Sequence, residues 1–158
     1  MTKIIVVSDT HGGKGVQELF PLMEENDLVF HLGDGYGDLR SFWSENPEKV
    51  YLCRGNCDFF SPLPDEGEIE IEGLKIFYCH GHNYGVKSSL SALAEEVKKR
   101  GCQIALYGHT HVAKIDEIDG VTLINPGTLR NPVGKGGGYC YLVLHNGKAT
   151  PVLVGESI

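Results

Sequence analysis

The first half of the chain alternates short apolar runs with segments of helical periodicity. Lys3–Val7, Leu28–Leu32 and Val50–Cys53 are such runs, and each of them predicts a buried strand. Between these strands, apolar residues recur at helical spacing over Val16–Met23 and again around Leu39–Trp43. Strands that alternate with helices in this way are typical of a parallel sheet whose strands are joined by helical crossovers.

The second half of the chain is richer in strands. Glu68–Glu72 and Lys75–Cys79 predict a hairpin, and the apolar spacing near Lys87–Arg100 predicts an amphipathic helix. Asp119-Gly120 and Asn146-Gly147 are dipeptides that favour tight hairpin turns. Further strands are predicted at Gln103–Tyr107, Ala113–Ile118, Val121–Ile124, Gly138–His145 and Lys148–Val154.

The composition is that of one globular domain. The chain has 158 residues, of which 41% are hydrophobic and 22% charged, so we expect a single domain over residues 1–158. No run approaches the roughly 18–20 consecutive apolar residues of a membrane span, and Asp9 follows the first apolar run too early for a secretory leader. The five cysteines are odd in number and irregularly spaced, as in reducing compartments. We therefore expect a cytoplasmic protein with no membrane partner.

Side chains that bind metals follow several of the predicted strands. Each cluster by itself also fits a turn, a helix cap or a hydrogen-bonded structural histidine. Together they indicate a metal site, because the carboxyl ends of strands in an open α/β sheet are where ligands bind. The clusters are Asp9-Thr10-His11, Gly33-Asp34, Gly55-Asn56-Cys57-Asp58, Cys79-His80-Gly81-His82 and Gly108-His109-Thr110-His111.

The donor types narrow the choice of metal. Carboxylate, imidazole and amide oxygen suit Mn²⁺, Fe²⁺, Ni²⁺ or Zn²⁺, and Mn²⁺ is the ion we expect. The candidate ligands are too many for one ion and fit two divalent ions that share a carboxylate. Two such ions with only two anionic ligands attract phosphate oxygens and acidify a bound water. The candidate ligands are Asp9, His11, Asp34, Asn56, His80, His109 and His111.

These clusters resemble the motifs of the calcineurin-like metallophosphoesterases, above all those of the small single-domain microbial phosphodiesterases. The family motifs D-x-H, G-D-x-x-D, G-N-H-D/E, a histidine after a central strand and G-H-x-H occur here in the same order. Asn125-Pro126-Gly127-Thr128 matches the N-P-G-S/T motif of the small branch, so the resemblance spans residues 4–128. It implies an α/β (α+β) four-layer sandwich, in which two mixed β-sheets are flanked by helices.

The resemblance also implies roles for the candidate ligands. Asp34 would bridge the two ions, and a hydroxide that bridges them would attack the phosphorus of a small phosphodiester. Asp34 and Asn56 are therefore expected to take part in catalysis as well as in metal binding. One ion would be held by Asp9, His11 and His111, and the other by Asn56, His80 and His109.

Two departures from the family pattern bear on the chemistry. Cys57 stands where the family has a histidine that protonates the leaving group or positions the phosphate. A thiol with a pKa of about 8.5 is a poor match for that role, so acidic leaving groups should be favoured. His82 is the candidate that would donate the proton instead, and a structural role is the alternative for it. Arg130 and Cys57 are candidates for contacting the substrate. The second aspartate of G-D-x-x-D is displaced to Asp38, so Asp38 and Asp58 are expected to support ligands rather than to bind metal.

Other functions remain open. A phosphomonoesterase is the first alternative, and a non-catalytic metal-binding scaffold similar to a retromer subunit is the second. A nuclease that acts on long nucleic acids is disfavoured, because the net charge is −7 and no basic tract is present. A homodimer is a reasonable expectation for a small protein of this kind.

Overall fold

Two five-stranded sheets form the centre of the structure, which is a computed structural model that describes residues 1–155. The last residues of the predicted domain, 156–158, lie outside the described residues. The strands are β1 (Thr2–Val7), β2 (Leu28–His31), β3 (Val50–Leu52), β4 (Glu66–Ile71), β5 (Leu74–Cys79), β6 (Ile104–Leu106), β7 (Lys114–Ile118), β8 (Val121–Asn125), β9 (Gly138–His145) and β10 (Lys148–Gly155). Their bounds differ from the predicted ones by no more than two residues.

Both sheets are mixed. The first has the order β10-β9-β1-β2-β3, in which β1, β2 and β3 run parallel and β9 and β10 pair antiparallel. The second has the order β4-β5-β6-β8-β7, in which β5, β6 and β8 run parallel and the two edge strands are antiparallel. The predicted parallel unit in the first half of the chain is therefore confirmed.

Three apolar clusters hold four layers together. Ile4, Phe30 and Leu106 belong to the cluster between the two sheets, where the inward-facing side chains of both sheets meet. The opposite face of the first sheet packs against helices through residues such as Met23, and that of the second packs against a helix through residues such as Leu93. The predicted four-layer sandwich is confirmed.

The helices are shorter than the apolar periodicity predicts. The structure has α1 (Phe20–Glu25), α2 (Arg40–Glu45) and α3 (Ser91–Lys99), with short 3₁₀ segments at Val16–Leu19, Tyr36–Leu39 and His82–Tyr84. Pro21 marks the first turn of α1, because proline lacks the N–H that a continuing helix would need. The helix predicted near Lys87–Arg100 is present as α3, but its predicted start is four residues too early. It begins at Ser91, whose backbone N–H donates a hydrogen bond to the Ser89 hydroxyl. Within residues 1–155, no helix is long and apolar enough to cross a membrane.

Tight turns join the hairpins where the sequence predicts them. Asp119-Gly120 and Asn146-Gly147 have φ angles of 50° and 82°, and of 50° and 74°. Positive φ at both central residues is the mark of a type I′ turn, whose twist matches that of the flanking strands. Glu72-Gly73 turns in the same way between β4 and β5, with φ angles of 53° and 78°.

The cluster between the sheets should dominate stability. Leu106→Ala removes a fully buried side chain from it, and we expect the free energy of unfolding to fall by about 2–5 kcal/mol. Ile115→Ala is the matched control, because Ile115 is 41% exposed on the edge strand β7 and its loss should cost less than about 0.5 kcal/mol. Urea denaturation of both variants measures the difference, and equal losses would contradict this account of the core.

Candidate metal centre

The carboxyl ends of five strands from both sheets meet at one edge of the molecule. Backbone hydrogen bonds join the segments that follow these strands, from Asp9 N–H to the Gly33 carbonyl at 3.0 Å and from Gly108 N–H to the His80 carbonyl at 2.9 Å. His11 N–H likewise donates to the carbonyl of Asp34 at 3.0 Å. The predicted clusters are therefore neighbours in space although up to 100 residues separate them in sequence.

Asp9, His11 and His111 form one group of potential ligand atoms. Nε2 of His111 lies 3.2 Å from Oδ1 of Asp9 and 3.2 Å from Nε2 of His11. Nε2 of His11 lies 3.6 Å from the same Asp9 oxygen. Ligands placed about 2.1 Å from a common ion are roughly 3.0–3.4 Å apart, so these three donors are spaced closely enough to share one cation.

Asp34, His80 and His109 form a second group beside the first. Nε2 of His80 lies 3.3 Å from Oδ2 of Asp34 and 3.2 Å from Nδ1 of His109. The two groups are adjacent, because Asp34 Oδ2 is also 3.9 Å from Nε2 of His11, and Asp9 Oδ1 is 3.8 Å from Nε2 of His80. Both carboxylates thus lie between the two sets of imidazoles.

The carboxylate of Asp9 shows that the donor set fits a cation. Its Oδ2 accepts hydrogen bonds from the Ser8 hydroxyl at 2.6 Å and from His109 N–H at 3.0 Å. Its Oδ1 is buried and, among the described residues, has no hydrogen-bond partner. A buried, unpaired carboxylate oxygen is costly unless a positive charge compensates it. Imidazole nitrogens surround Oδ1, and together with this oxygen they form a set of donors that suits a divalent ion.

A hydrogen bond behind His80 sets the tautomer of its ring. Nδ1 of His80 lies 2.7 Å from the carbonyl oxygen of Leu32. A carbonyl only accepts, so Nδ1 carries the proton and the lone pair of the neutral ring is on Nε2, which faces Asp34 and His109. The fold therefore presents Nε2 of His80 as a metal-ligating atom.

The electrostatics keep both carboxylates ionised. Burial opposes ionisation of the Asp34 carboxylate, but the His80 imidazole and the backbone N–H of Cys57 lower its pKa well below the ordinary value. Burial also opposes ionisation of Asp9, yet His111, His80 and the Ser8 hydroxyl bring its pKa below the ordinary value. Two negative charges at neutral pH make this edge attractive to cations although much of it is buried.

The backbone is strained at the predicted ligands. A left-handed conformation is uncommon outside glycine and costs about 1–3 kcal/mol per residue. Strain of this kind clusters at functional sites, where the surrounding fold holds it. Left-handed φ angles occur at Asp9 (55°), His11 (46°), Asp34 (60°), His109 (73°) and His111 (63°).

Two glycines allow the strand ends to approach each other. A Cβ atom at Gly55 would overlap the carboxylate and backbone nitrogen of Asp34. A Cβ atom at Gly108 would overlap the Ser8 hydroxyl and press on Oδ2 of Asp9 at 2.7 Å. Glycine is therefore required at both positions for the carboxylates to lie where they do.

Asp58 and Asp38 support the ligand loops, as the sequence predicts. Asp58 accepts backbone hydrogen bonds from Asp34 at 2.7 Å, Gly35 at 2.8 Å and Gly55 at 2.8 Å, which ties the loops after β2 and β3 together. Asp38 accepts from the Thr10 hydroxyl at 2.6 Å and from Gly12 N–H at 2.8 Å. Thr10, which lies between the candidate ligands Asp9 and His11, is thus part of the support.

Other residues that hold the ligand loops in place were not predicted from the sequence. The Asn125 side chain donates to the Gly108 carbonyl at 3.2 Å and to the Thr110 hydroxyl at 2.9 Å, and the Thr128 hydroxyl donates to the Asp9 carbonyl at 2.7 Å. Buried His31 accepts from Gly33 N–H through Nδ1 at 3.1 Å, and burial lowers its pKa to about 4, so it is a neutral structural residue. Asn125 and Thr128 belong to the N-P-G-T motif, but nothing in the local sequence predicts which residues they bind.

The remaining predicted site residues lie in or beside the loops that carry these two groups. Asn56 and Cys57 are exposed after β3, and the backbone N–H of Cys57 donates to Oδ1 of Asp34 at 2.7 Å. Sγ of Cys57 lies within 4.8 Å of ligand atoms of His11 and Asp34. The His82 ring lies 5.4 Å from that of His80, and its Nδ1 is buried without a hydrogen-bond partner in the described part of the chain. Arg130 is exposed, and its carbonyl accepts from Gly15 at 3.4 Å, beside the loop after β1.

Comparison with known proteins gives this arrangement a family. A model of the calcineurin-like phosphoesterase superfamily domain matches residues 2–148. The chain belongs to the calcineurin-like phosphoesterase superfamily. The probable metallophosphoesterase YsnB of Bacillus subtilis is 32% identical over 152 residues, which cover 93% of this chain and 87% of YsnB. The phosphodiesterase YfcE of Escherichia coli is 28% identical in an alignment 159 positions long, which covers 85% of this chain and 83% of YfcE.

Solved structures share the fold of this calcineurin-like domain. A predicted phosphoesterase from Streptococcus pneumoniae has a TM-score of 0.79 at 24% identity, covering 98% of this chain and 89% of that one. Vacuolar protein sorting 29 from Cryptosporidium parvum has a TM-score of 0.73 at 18% identity, covering 99% of this chain and 98% of that one. At these identities the likeness shows the fold alone. The predicted family is confirmed, and it is one of metal-dependent phosphoester hydrolases.

The glycine contacts in this calcineurin-like domain lead to a direct test. Gly55→Ala should displace the Asp34 carboxylate and weaken metal binding by more than about tenfold, as measured by calorimetric titration of metal-stripped protein with Mn²⁺. Gly37→Ala is the matched control, because no atom lies within 4 Å of the added methyl group. Similar metal affinity in the two variants would show that Asp34 does not hold an ion.

Proposed function

We propose that this chain is a phosphodiesterase that hydrolyses small phosphodiesters at a centre of two divalent ions. Mn²⁺ is the ion we propose first, and Fe²⁺, Ni²⁺ and Zn²⁺ are the alternatives that the same donors accept. The proposed ligands are Asp9, His11 and His111 for one ion, Asn56, His80 and His109 for the other, and Asp34 for both.

The observation that carries this proposal is the position of the two carboxylates. Oδ1 of Asp9 is buried without a hydrogen-bond partner in residues 1–155, and Oδ2 of Asp34 faces imidazoles of both groups at 3.3 and 3.9 Å. A single ion would use one group of donors and leave the other idle. Two adjacent groups that share carboxylates at their boundary favour two ions.

The reaction needs little covalent chemistry from the protein. When bound, two divalent ions would supply an acidified water and positive charge for the phosphate oxygens. The water oxygen would bond to phosphorus as the water gives up a proton, the phosphorus–oxygen bond to one alcohol would break, and that alcohol would leave with a proton. Asp9 and Asp34 supply fixed negative charge, and the Asp58 carboxylate holds the loop of Asp34 in place. We propose that Arg130 contacts a non-bridging oxygen of the substrate.

His82 is the proposed source of the proton for the leaving alcohol. Cys57 is exposed beside Asp34, but partial burial and the Asp34 carboxylate raise the pKa of its thiol above the ordinary value, so it is a weak match for this task. The His82 ring lies 5.4 Å from that of His80 and 6.1 Å from that of His109, at the second group of ligands. Nδ1 of His82 has no hydrogen-bond partner in the described residues, so no structural hydrogen bond occupies this nitrogen.

Charge and size favour small substrates over polymers. The net charge of −7 opposes binding of long nucleic acids, which depends on clustered basic residues. A cytoplasmic location is part of the proposal and is supported by the five cysteines, all of which are free. Two alternative functions are a phosphomonoesterase at the same centre and a protein-binding scaffold.

The proposal predicts activity that depends on metal and favours diesters. Metal-stripped protein should be inactive, and added Mn²⁺ should restore hydrolysis of bis-p-nitrophenyl phosphate in preference to p-nitrophenyl phosphate. Asp34→Asn removes the shared anionic ligand and should lower this activity by more than about 100-fold while the fold is kept. Asp119→Asn is the control, because it makes the same change in an exposed turn that asparagine also adopts.

Each other result selects an alternative. A preference for the monoester would favour the phosphomonoesterase. Stoichiometric metal binding without turnover, for all four ions, would favour the scaffold. Near wild-type turnover in Asp34→Asn would contradict the two-ion assignment.

The role of His82 can be separated from a structural one by changing the leaving group. A phenol with a pKa of about 10 needs a proton more than the acidic p-nitrophenol does. His82→Ala should therefore slow kcat for diphenyl phosphate about 100-fold and that for bis-p-nitrophenyl phosphate only a few-fold. His145→Ala, at an exposed histidine on β9, should change neither rate. Equal losses for both diesters would mean that His82 only supports the centre.

A further inference from the structure

Two adjacent phenylalanines in the loop after β3 project into solvent. Phe59 is 77% exposed and Phe60 is 103% exposed. They directly follow the cluster Gly55-Asn56-Cys57-Asp58, which belongs to the candidate metal centre. Side chains of this size bury large areas in most proteins, so an exposed pair contributes nothing to the core and marks a surface for binding.

The backbone at Phe60 is strained as well as exposed. Ser61 N–H donates to the carbonyl of Asp58 at 3.4 Å, which makes Asp58–Ser61 a four-residue turn with the two phenylalanines at its centre. Phe60 has a φ of 60° and Phe59 does not have a positive φ, as in a type II turn. Glycine is preferred at that third position, so neither packing nor local conformation explains a phenylalanine there.

Both ends of this turn are fixed to the candidate centre or to the core. At one end, Asp58 binds the backbone of Asp34, Gly35 and Gly55 through its carboxylate. At the other end, Ser61 is buried, and its hydroxyl accepts a hydrogen bond from Leu63 N–H at 3.1 Å. Successive Cα atoms are about 3.8 Å apart, so the Cα atom of Phe59 lies within roughly 8 Å of that of Cys57. The turn is therefore at the rim of the centre.

We propose that Phe59 and Phe60 form a wall that binds a planar aromatic ring on one alcohol of the phosphodiester. The phosphate group of the substrate would bind at the metal centre, and the ring would stack on the phenylalanines at its rim. The preferred substrates are then phosphodiesters that carry an aromatic ring rather than purely aliphatic ones. This inference rests on the proposed function, because it takes the phosphate position from it.

Uncleavable ligands test the wall independently of turnover. Dibenzylphosphinate has methylene groups in place of the ester oxygens of diphenyl phosphate, and diethylphosphinate matches dimethyl phosphate in the same way. Calorimetric titration of the Mn²⁺-loaded protein should show tighter binding of dibenzylphosphinate. Phe59→Ala/Phe60→Ala should weaken that binding about tenfold and change the binding of diethylphosphinate by less than about twofold.

Three further variants separate ring recognition from loop structure. Phe59→Tyr/Phe60→Tyr keeps both rings and should bind dibenzylphosphinate as the wild type does. Phe60→Gly should weaken binding without lowering the Tm, because glycine accepts the left-handed backbone. Val152→Ala is the control for loss of an exposed apolar side chain, since Val152 is 49% exposed on β10.

Several results would overturn the inference. They are equal affinity of the wild type for the two phosphinates, no binding of either, equal loss for both in the alanine variant, or a lower Tm in Phe60→Gly. A wild-type dimer that the alanine variant converts to a monomer, measured by light scattering, would instead assign the pair to a contact between copies. Turnover of bis-p-nitrophenyl phosphate by the same preparation tests the proposed function separately. Selective binding without turnover would overturn that function and leave the aromatic wall in place.

Discussion

Two buried carboxylates among imidazoles are the constraint on which this structure depends. Asp9 is fully buried and Asp34 nearly so, and their surroundings keep both ionised. Buried charge is stable only when it is compensated, and within residues 1–155 no hydrogen bond reaches Oδ1 of Asp9. A cation between the carboxylates and the histidines resolves the imbalance. The electrostatics of this chain thus agree with the metal dependence of the family.

The rest of the molecule holds these charges in position. Two sheets place their carboxyl strand ends at one edge, and five left-handed residues there each cost about 1–3 kcal/mol. Three apolar clusters provide the stability that offsets this strain. Asp58, Asn125 and Thr128 then join loops that belong to different strands. Few side chains would contact the reacting atoms. Most of the interactions described for this site instead hold the ligand loops in position.

Binding of phosphate and choice of substrate are separated in this arrangement. In the proposed function, cations held by the carboxylates and imidazoles at the strand ends would bind what all phosphoesters share, which is a negatively charged phosphate. The exposed turn of Phe59 and Phe60 lies at the rim and contacts what differs between substrates. Such a turn can change without disturbing the buried centre, because its side chains take no part in the core. Two residues of one loop could thereby give this domain a preference for one class of ester.

The sequence by itself determined the strands, the hairpin turns and the clusters of metal-binding side chains, because these depend on local periodicity and residue chemistry. Asp119-Gly120 and Asn146-Gly147 turn where their φ preferences predict, whereas α3 begins later than its periodicity suggests because Ser89 binds the backbone of Ser91. Only the tertiary structure decided which atoms meet. The lone pair of His80 depends on the carbonyl of Leu32, and the support of Asp9 depends on Thr128. These contacts join residues far apart in the chain, so they exist only once the strand order has brought their ends together.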